Sequence, residues 1–215
     1  VKAAGGKVVG SVRHPLNTTD FSSFLLQAQA SNAKVIALAN GGSDTINAIK
    51  GASEFKITQS GKQRVASLLT FITDVHGMGL DLAQGIVLTE AFYWDLNDDT
   101  RKWSRRFFEK TRRMPTMVQA GMYSAAMHYL KAVAASGTDD TAAVMAKMKA
   151  TPVNDMFTKG GTIRPDGLHV HDMYLMQVKK PSESKSTWDY YHVKAVVPAS
   201  QAFSPMTPGA CAFVK

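Results

Sequence analysis

Cysteine is nearly absent. The 215 residues contain one, Cys211, close to the C-terminus. In a cytosolic protein a lone thiol is unremarkable, whereas in an exported protein an odd cysteine points to a missing partner. No run of about 18 apolar residues occurs, so no segment is a candidate membrane-spanning helix. The phosphate-cradling patterns G-x-G-x-x-G and G-x-x-x-x-G-K-[ST] are missing, as is the G-x-S-x-G elbow of α/β-hydrolases. Signatures of the common nucleic-acid modules are absent too. Metal-ligand spacing is poor: His169 and His171 alternate as strand residues would, with Asp172 beside them, but neither a cysteine nor a third spaced histidine joins them. No metal and no cofactor are expected. There is no initiator Met and no signal peptide, so the chain reads as processed or as a fragment.

What is present is enough for a folded protein. Hydrophobic residues make up 45% of the chain, which excludes a disordered polymer. The length suits one or two domains. The net charge is +8, and most of the clustering falls in Arg101-Lys102, Arg105-Arg106, Lys110 and Arg112-Arg113. That run could be a nucleic-acid patch. The better reading is the solvated face of a helix whose other face carries Trp103, Phe107 and Met114, with Asp95, Asp98, Asp99 and Glu109 diluting the positive field.

The central stretch is Leu68 to Asp99. Two apolar runs, Val65 to Ile72 and Ile86 to Thr89, fit strands buried on both faces of a parallel sheet. Polar and aromatic clusters follow each: Thr73-Asp74-Val75-His76, then Glu90, Phe92, Tyr93, Trp94 and Asp95. Ligands of such sheets bind beyond the carboxyl ends of the strands. Apolar walls with a few placed polar groups make a small-molecule cleft. Phe92, Tyr93 and Trp94 could equally be packing residues at a strand end.

Upstream, Lys7 to Val12 reads as a strand. A helix bearing Phe21, Phe24, Leu25 and Ala28 follows, then the strand Lys34 to Ala39. The turn Asn40-Gly41-Gly42-Ser43-Asp44 leads into a helix with Ile46, Ile49 and Ala52. Asp44 would repel a phosphate, so this turn is better read as one that lets a ligand approach the backbone closely. Strand and helix alternate this way up to Asp95, which argues for a parallel sheet with helices on both faces. Beyond it come three consecutive helices: a basic one capped by Asp98-Asp99 and ending near Arg113, one from Val118 to Leu130 closed by Ser136-Gly137, and one capped by Asp139-Asp140. They have no sheet of their own. Turns at Thr158 to Gly161 and Pro165 to Gly167 precede two strands, Asp172 to Val178 and Trp188 to Val197, read as an antiparallel pair with one face wet. The tail from Pro198 reads as irregular surface chain.

The runs GKVVGSVRHPLNTTDFSSFLLQAQASNAKVIALAN, LLTFITDVHGMGLDLAQGIVLTEAFYWDLND and RPDGLHVHDMYLMQVKKPSESKSTWDYYHV resemble periplasmic solute-binding receptors of the branched-chain amino acid type, nearest their aromatic-acid-binding branch. The resemblance implies one lobe of a two-lobed α/β fold plus crossover helices of the other lobe. Residues 1–94 would form the second-lobe sheet, 95–167 the helices that cross to the first lobe, and 168–215 the return strands and tail. The first lobe's own sheet would lie upstream, with a signal peptide before it, and the crossover helices should then show an apolar face that nothing in this chain covers. The implied function is the extracellular solute-binding component of an ATP-driven importer, holding a small organic acid, most of all an aromatic carboxylate, between two lobes in the periplasm. The partners would be that ligand and a membrane permease, with no nucleic acid and no catalysis. An amino-acid receptor or a sensory domain of a signalling protein is the alternative. Ligand contacts would come from Asn40, Gly41 and Gly42, from Asp74 and His76, and from Phe92, Tyr93 and Trp94. Asp74 could hold an ammonium group or orient His76, which could donate to a ligand carboxylate. Cys211 would bridge to a cysteine outside this chain.

Overall fold

The structure is a computed structural model that describes residues 1–206 and 211. The chain divides into two compact units, Val1–Thr89 with Met176–Lys194 and Glu90–Leu175 with Ala195–Lys215.

In the first unit, helix α1 (Ser22–Ala30), strand β1 (Val35–Leu38), helix α2 (Gly42–Glu54), strand β2 (Arg64–Ser67), short helices α3 (Ile72–Met78) and α4 (Leu80–Ala83), and strand β3 (Val87–Glu90) follow one another. The strands join β6 (Met173–Val178) and β7 (Tyr191–Val197), later in the chain, in a five-stranded sheet of order β1-β2-β3-β6-β7. β1, β2 and β3 are mutually parallel, with Ile36 opposite Val65 and Ala66 opposite Val87. The expected α/β class with a mainly parallel sheet is therefore found. α2 packs against α1, α3 and α4, and it seals Ala48, Ile49 and Ala52 to 1% exposure or less. Burying the Ile49 side chain alone contributes about 2–3 kcal/mol of hydrophobic stabilisation.

Three local expectations need correction. Residues 7–12 carry a strand-like sequence but have no regular structure, and Val8, Val9 and Val12 stay 55%, 54% and 50% exposed. β-propensity expresses how well a side chain fits a paired, half-buried pleat, and this segment joins no sheet edge. The run Val65 to Ile72 is not one strand. β2 ends at Ser67, whose Oγ lies 2.5 Å from the Thr70 hydroxyl, and the Asp74 carboxylate accepts from the Phe71 backbone N–H at 2.8 Å. The second bond satisfies a donor at a helix start, so the chain turns into α3. Finally, burial alternates along β2 and β3 rather than being continuous. One face of each strand is sealed and the other is partly open.

The second unit holds helix α5 (Asp98–Thr111), helix α6 (Met117–Ser136), helix α7 (Thr141–Ala150) and a small antiparallel pair, β4 (Thr162–Ile163) with β5 (His169–Val170), which the sequence did not announce. α5 is capped by Asn97, not by Asp98-Asp99: Asn97 Oδ1 accepts from Thr100 N at 3.0 Å, and Thr100 Oγ1 accepts from Asn97 N at 3.0 Å. This reciprocal arrangement satisfies two donors at once, which a neighbouring aspartate pair already inside the first turn cannot do. α6 ends at Gly137 in the left-handed conformation (φ 66°), and Asp140 caps α7, both as expected. The core of this unit gathers Ala91, Phe92, Trp103, Ala120 and Phe157. α6 faces that interior with Ala120, Ser124, His128 and Ala132, while Val118, Met122, Tyr129 and Leu130 remain 53%, 69%, 44% and 56% exposed. Among the described residues no helix is long and apolar enough to cross a membrane. The tail begins with a helical turn, α8 (Ala199–Ala202), and its reading as irregular chain otherwise lies partly outside the described residues.

Candidate functional site

In the first unit, the carboxyl ends of β1 and β2 bring three segments together. Asn40 follows β1 directly. Its Nδ2 donates toward His14 Nε2 at 3.2 Å, and its Oδ1 accepts from the Thr45 hydroxyl at 2.9 Å. His14 Nδ1 lies 2.8 Å from the Pro15 carbonyl oxygen. A carbonyl only accepts and an amide NH2 only donates, so these contacts fit the imidazole carrying its proton on Nδ1. Phe21 and Phe24 flank the ring edge-on at 4.8 and 6.2 Å and fix its plane. From the β2 side, Leu69 reaches the same turn. A Cβ built on Gly41 would meet Leu69 Cδ2 at 3.0 Å, so the bare glycine leaves room for that side chain where it stands. Gly42 sits at φ 60°, in the left-handed region that glycine tolerates best.

The result is an open helix start. Gly41 is the N-cap of α2 and supplies no side-chain cap. Among the described residues no side chain caps the first backbone N–H groups of α2, and Gly42 and Ser43 are exposed. Such N–H groups, with the helix dipole behind them, favour an anion. Asp44 opposes this in the same turn, but it is buried, its Oδ2 accepts from Asn17 N at 3.2 Å and stands 3.9 Å from His14 Nδ1. Its Oδ1 is buried without a hydrogen-bond partner among the described residues. Leu68 and Leu69, 57% and 44% exposed, add apolar surface at this edge.

His76 is not part of this edge. Its Nδ1 lies 2.7 Å from the Tyr190 hydroxyl and its ring stacks on Trp188 at 3.9 Å. The backbone of Tyr190 pairs with Lys179, and the adjoining Val178 pairs with Gly85 and Ile86, just before β3. Since β3 runs parallel to β1, the His76 cluster lies at the opposite end of the sheet from Asn40. The Asp189 carboxylate, held by Lys179 and by the Lys185 N–H, pins the same loop. Asp74 is occupied as an acceptor at the start of α3. The sequence reading missed His14, Thr45 and Leu69. Only the His-Pro pair before a capping segment hinted at His14, and no spacing rule pointed to Leu69.

In the second unit Phe92 is 2% exposed, edge-on to Trp103 at 5.7 Å and stacked on Phe157 at 6.4 Å. Tyr93 is buried and meets Trp94 edge-on at 5.9 Å, while Trp94 packs against the core with one part left open. A histidine pair lies near Phe157: its ring stands 6.1 Å from His169 and 5.0 Å from His171, and these two are 4.9 Å apart. Burial pushes the His169 imidazole pKa down, with the neighbouring His171 and His128 adding to the effect and Asp155 opposing it. His169 Nε2 is buried without a hydrogen-bond partner among the described residues. A histidine pKa lower in the folded than in the unfolded chain adds nothing unfavourable above the unfolded value, and a penalty that grows as pH falls below it. The urea midpoint of this chain is thus expected to fall as pH drops from about 6.5 toward 5, and His169→Gln should flatten that dependence. An unchanged slope in the variant would show that His169 does not carry it. Among the described residues no group of three or more His, Cys, Asp or Glu side chains is arranged to hold a metal. Cys211 is a half-buried free thiol.

The sequence profile of the periplasmic binding protein family matches residues 1–185. Among solved structures, a periplasmic binding protein from Burkholderia mallei is 53% identical with a TM-score of 0.88, the match covering 100% of this chain and 56% of that one. A branched chain amino acid ABC transporter periplasmic ligand-binding protein from Burkholderia xenovorans LB400 is 46% identical, with a TM-score of 0.92 and coverage of 100% and 57%. A solute binding protein of an ABC transporter from Rhodopseudomonas palustris HaA2, in complex with p-hydroxybenzoic acid, shares the fold at 22% identity, with a TM-score of 0.76 and coverage of 92% and 54%. No curated protein matches the chain. The chain spans 56% and 57% of the length of the two Burkholderia structures.

Proposed function

Because the chain belongs to the periplasmic binding protein family, we propose that it forms the larger part of the solute-binding component of an ATP-driven importer, as in the Burkholderia xenovorans branched chain amino acid relative. It works in the periplasm, holds a small organic acid without altering it, and delivers it to a membrane permease. The ligand class is an aromatic carboxylate, as p-hydroxybenzoic acid is in the Rhodopseudomonas palustris relative.

The observation that carries this reading is the open start of α2. Its exposed N–H groups can take the carboxylate, and Leu68 and Leu69 offer apolar surface to a ring. Within the second unit, Trp94 is the one of the three rings after β3 that keeps open surface. A good aromatic contact adds on the order of 1 kcal/mol beyond its buried area. Asp44 favours a second reading. Its Oδ1, without a hydrogen-bond partner among the described residues, belongs to the same first turn as those N–H groups, so an amino acid could use the anionic preference of the turn and the negative charge behind it.

Residues 95–167 fit helices that pack on a sheet outside this chain. Val118, Met122, Tyr129 and Leu130 form an exposed apolar stripe on α6 at helical spacing, the kind of surface a soluble protein covers.

A thermal-shift screen of the full-length receptor tests the ligand class. A ligand at about 100 times its Kd stabilises the folded state by about 2.7 kcal/mol. Benzoate-like and cinnamate-like acids are expected to raise Tm and branched aliphatic amino acids to leave it unmoved. A shift with leucine and none with the aromatic acids would replace the first reading by the second.

A further inference from the structure

Helices α5 and α6 of the second unit enclose a groove of about 310 Å³ that the ligand reading does not use. Its floor is apolar and aromatic: Trp103, Tyr123, Met127 and Met156 line it, with the Trp103 and Tyr123 rings 5.3 Å apart. Its walls are basic. Lys102 and Arg106 stand one turn apart on α5, and Lys131 faces the groove from α6.

The acids that line the groove, Asp99 and Asp155, are already engaged. Asp99 pairs with Lys159 at 3.0 Å across the mouth. Asp155 Oδ2 accepts from the Ser124 hydroxyl, and its Oδ1 accepts from the backbone N–H groups of Phe157 and Thr158. Asp95 and Asp98 both hold Arg101. Lys102, Arg106 and Lys131 have no ion-pair partner among the described residues, and all three are exposed. The excess of positive over negative charge around this concave apolar floor costs self-repulsion that an anionic partner would relieve.

The shape narrows the partner. A flat anionic membrane surface could reach the rim lysines but not the floor. A single-stranded nucleic acid needs open ring faces to stack on, and Trp103 is only 8% exposed. A protein loop with carboxylates on either side of an apolar side chain satisfies rim and floor together. Resting on the importer reading above, we propose that this groove docks an acidic loop of the permease.

The test uses the full-length receptor and its cognate permease with ATPase in proteoliposomes. The readout is the receptor concentration that gives half-maximal stimulation of ATP hydrolysis. Lys102→Glu with Arg106→Glu is expected to raise that concentration by about tenfold or more, and added salt should weaken the wild type in the same direction. Lys102→Arg with Arg106→Lys should retain docking. Lys34→Glu with Lys50→Glu, the same charge change on exposed residues of the first unit, should leave it unmoved. The receptor's affinity for its solute, measured by calorimetry, should be unaffected by the α5 variant. An unchanged half-maximal concentration in the α5 variant overturns the assignment, and so does an equal effect of the first-unit control. If wild-type receptor loaded with solute does not stimulate the permease at all, the importer reading itself fails and this assignment falls with it.

Discussion

Phe92→Ala is expected to destabilise the second unit by about 3–5 kcal/mol, the usual cost of emptying a fully buried aromatic site. Phe92 is 2% exposed and wedged between Trp103 and Phe157, with Ala91 and Ala120 completing the cluster. Small alanines cannot expand into the void, and the two remaining rings are held by other neighbours: Trp103 by Phe107 and Tyr123, Phe157 by His169 and His171. The cavity would persist. Urea denaturation followed by tryptophan fluorescence reads this directly, since Trp103 reports on the same cluster. Phe92→Leu should recover much of the loss by refilling the volume. A loss under about 1 kcal/mol for the alanine variant, well below the range for buried rings, would mean that Phe92 is not a core residue.

Asn40→Ala in the full-length receptor is expected to weaken solute binding by about tenfold to a hundredfold, or about 1.4–2.7 kcal/mol. Asn40 ties His14 to Thr45 through both ends of its amide. Removing it leaves His14 Nε2 without its donor and frees the first turn of α2 to shift. The N–H groups that would face the ligand then lose their fixed direction. Asn40 acts here as a positioning residue, so two readouts are needed. Calorimetry should show the weaker Kd, while Tm without ligand should fall by little, because Asn40 is only half-buried. Asn40→Asp keeps the acceptor for Thr45 but puts a negative charge beside the open N–H groups, and should bind an anionic solute more weakly still. A large fall in Tm with no change in Kd would assign the residue to the fold alone.

Much of the architecture was legible in the sequence, for reasons that can be named. The apolar segments Val35 to Leu38 and Val87 to Thr89, with a helix between each and the next, carry the parallel sheet. Gly137 and Asp140 mark helix ends by chemistry that acts over a few residues. What failed depended on distant groups. Residues 7–12 have the composition of a strand, but a strand exists only where an edge receives it. The run after Val65 looked continuous because Leu68, Leu69 and Ile72 are apolar, yet the Ser67–Thr70 and Phe71–Asp74 bonds break it. The same break carried Asp74 and His76 into α3 and His76 to the far end of the sheet. Its partner there, Tyr190, lies 114 residues further along the chain. Conversely, His14 joined the Asn40 turn across a separation of 26 residues. Local pattern cannot report either pairing.

In the proposed receptor, the turn from Asn40 into α2 receives the acidic end of a small solute. A crystal structure of the full-length receptor grown with p-hydroxybenzoate, or with whichever acid raises Tm most, tests it directly. A carboxylate oxygen is expected within about 3 Å of the backbone N–H of Gly42 or Ser43, with the ring against Leu69. A solute bound with no contact to residues 40–45 or His14 would contradict it.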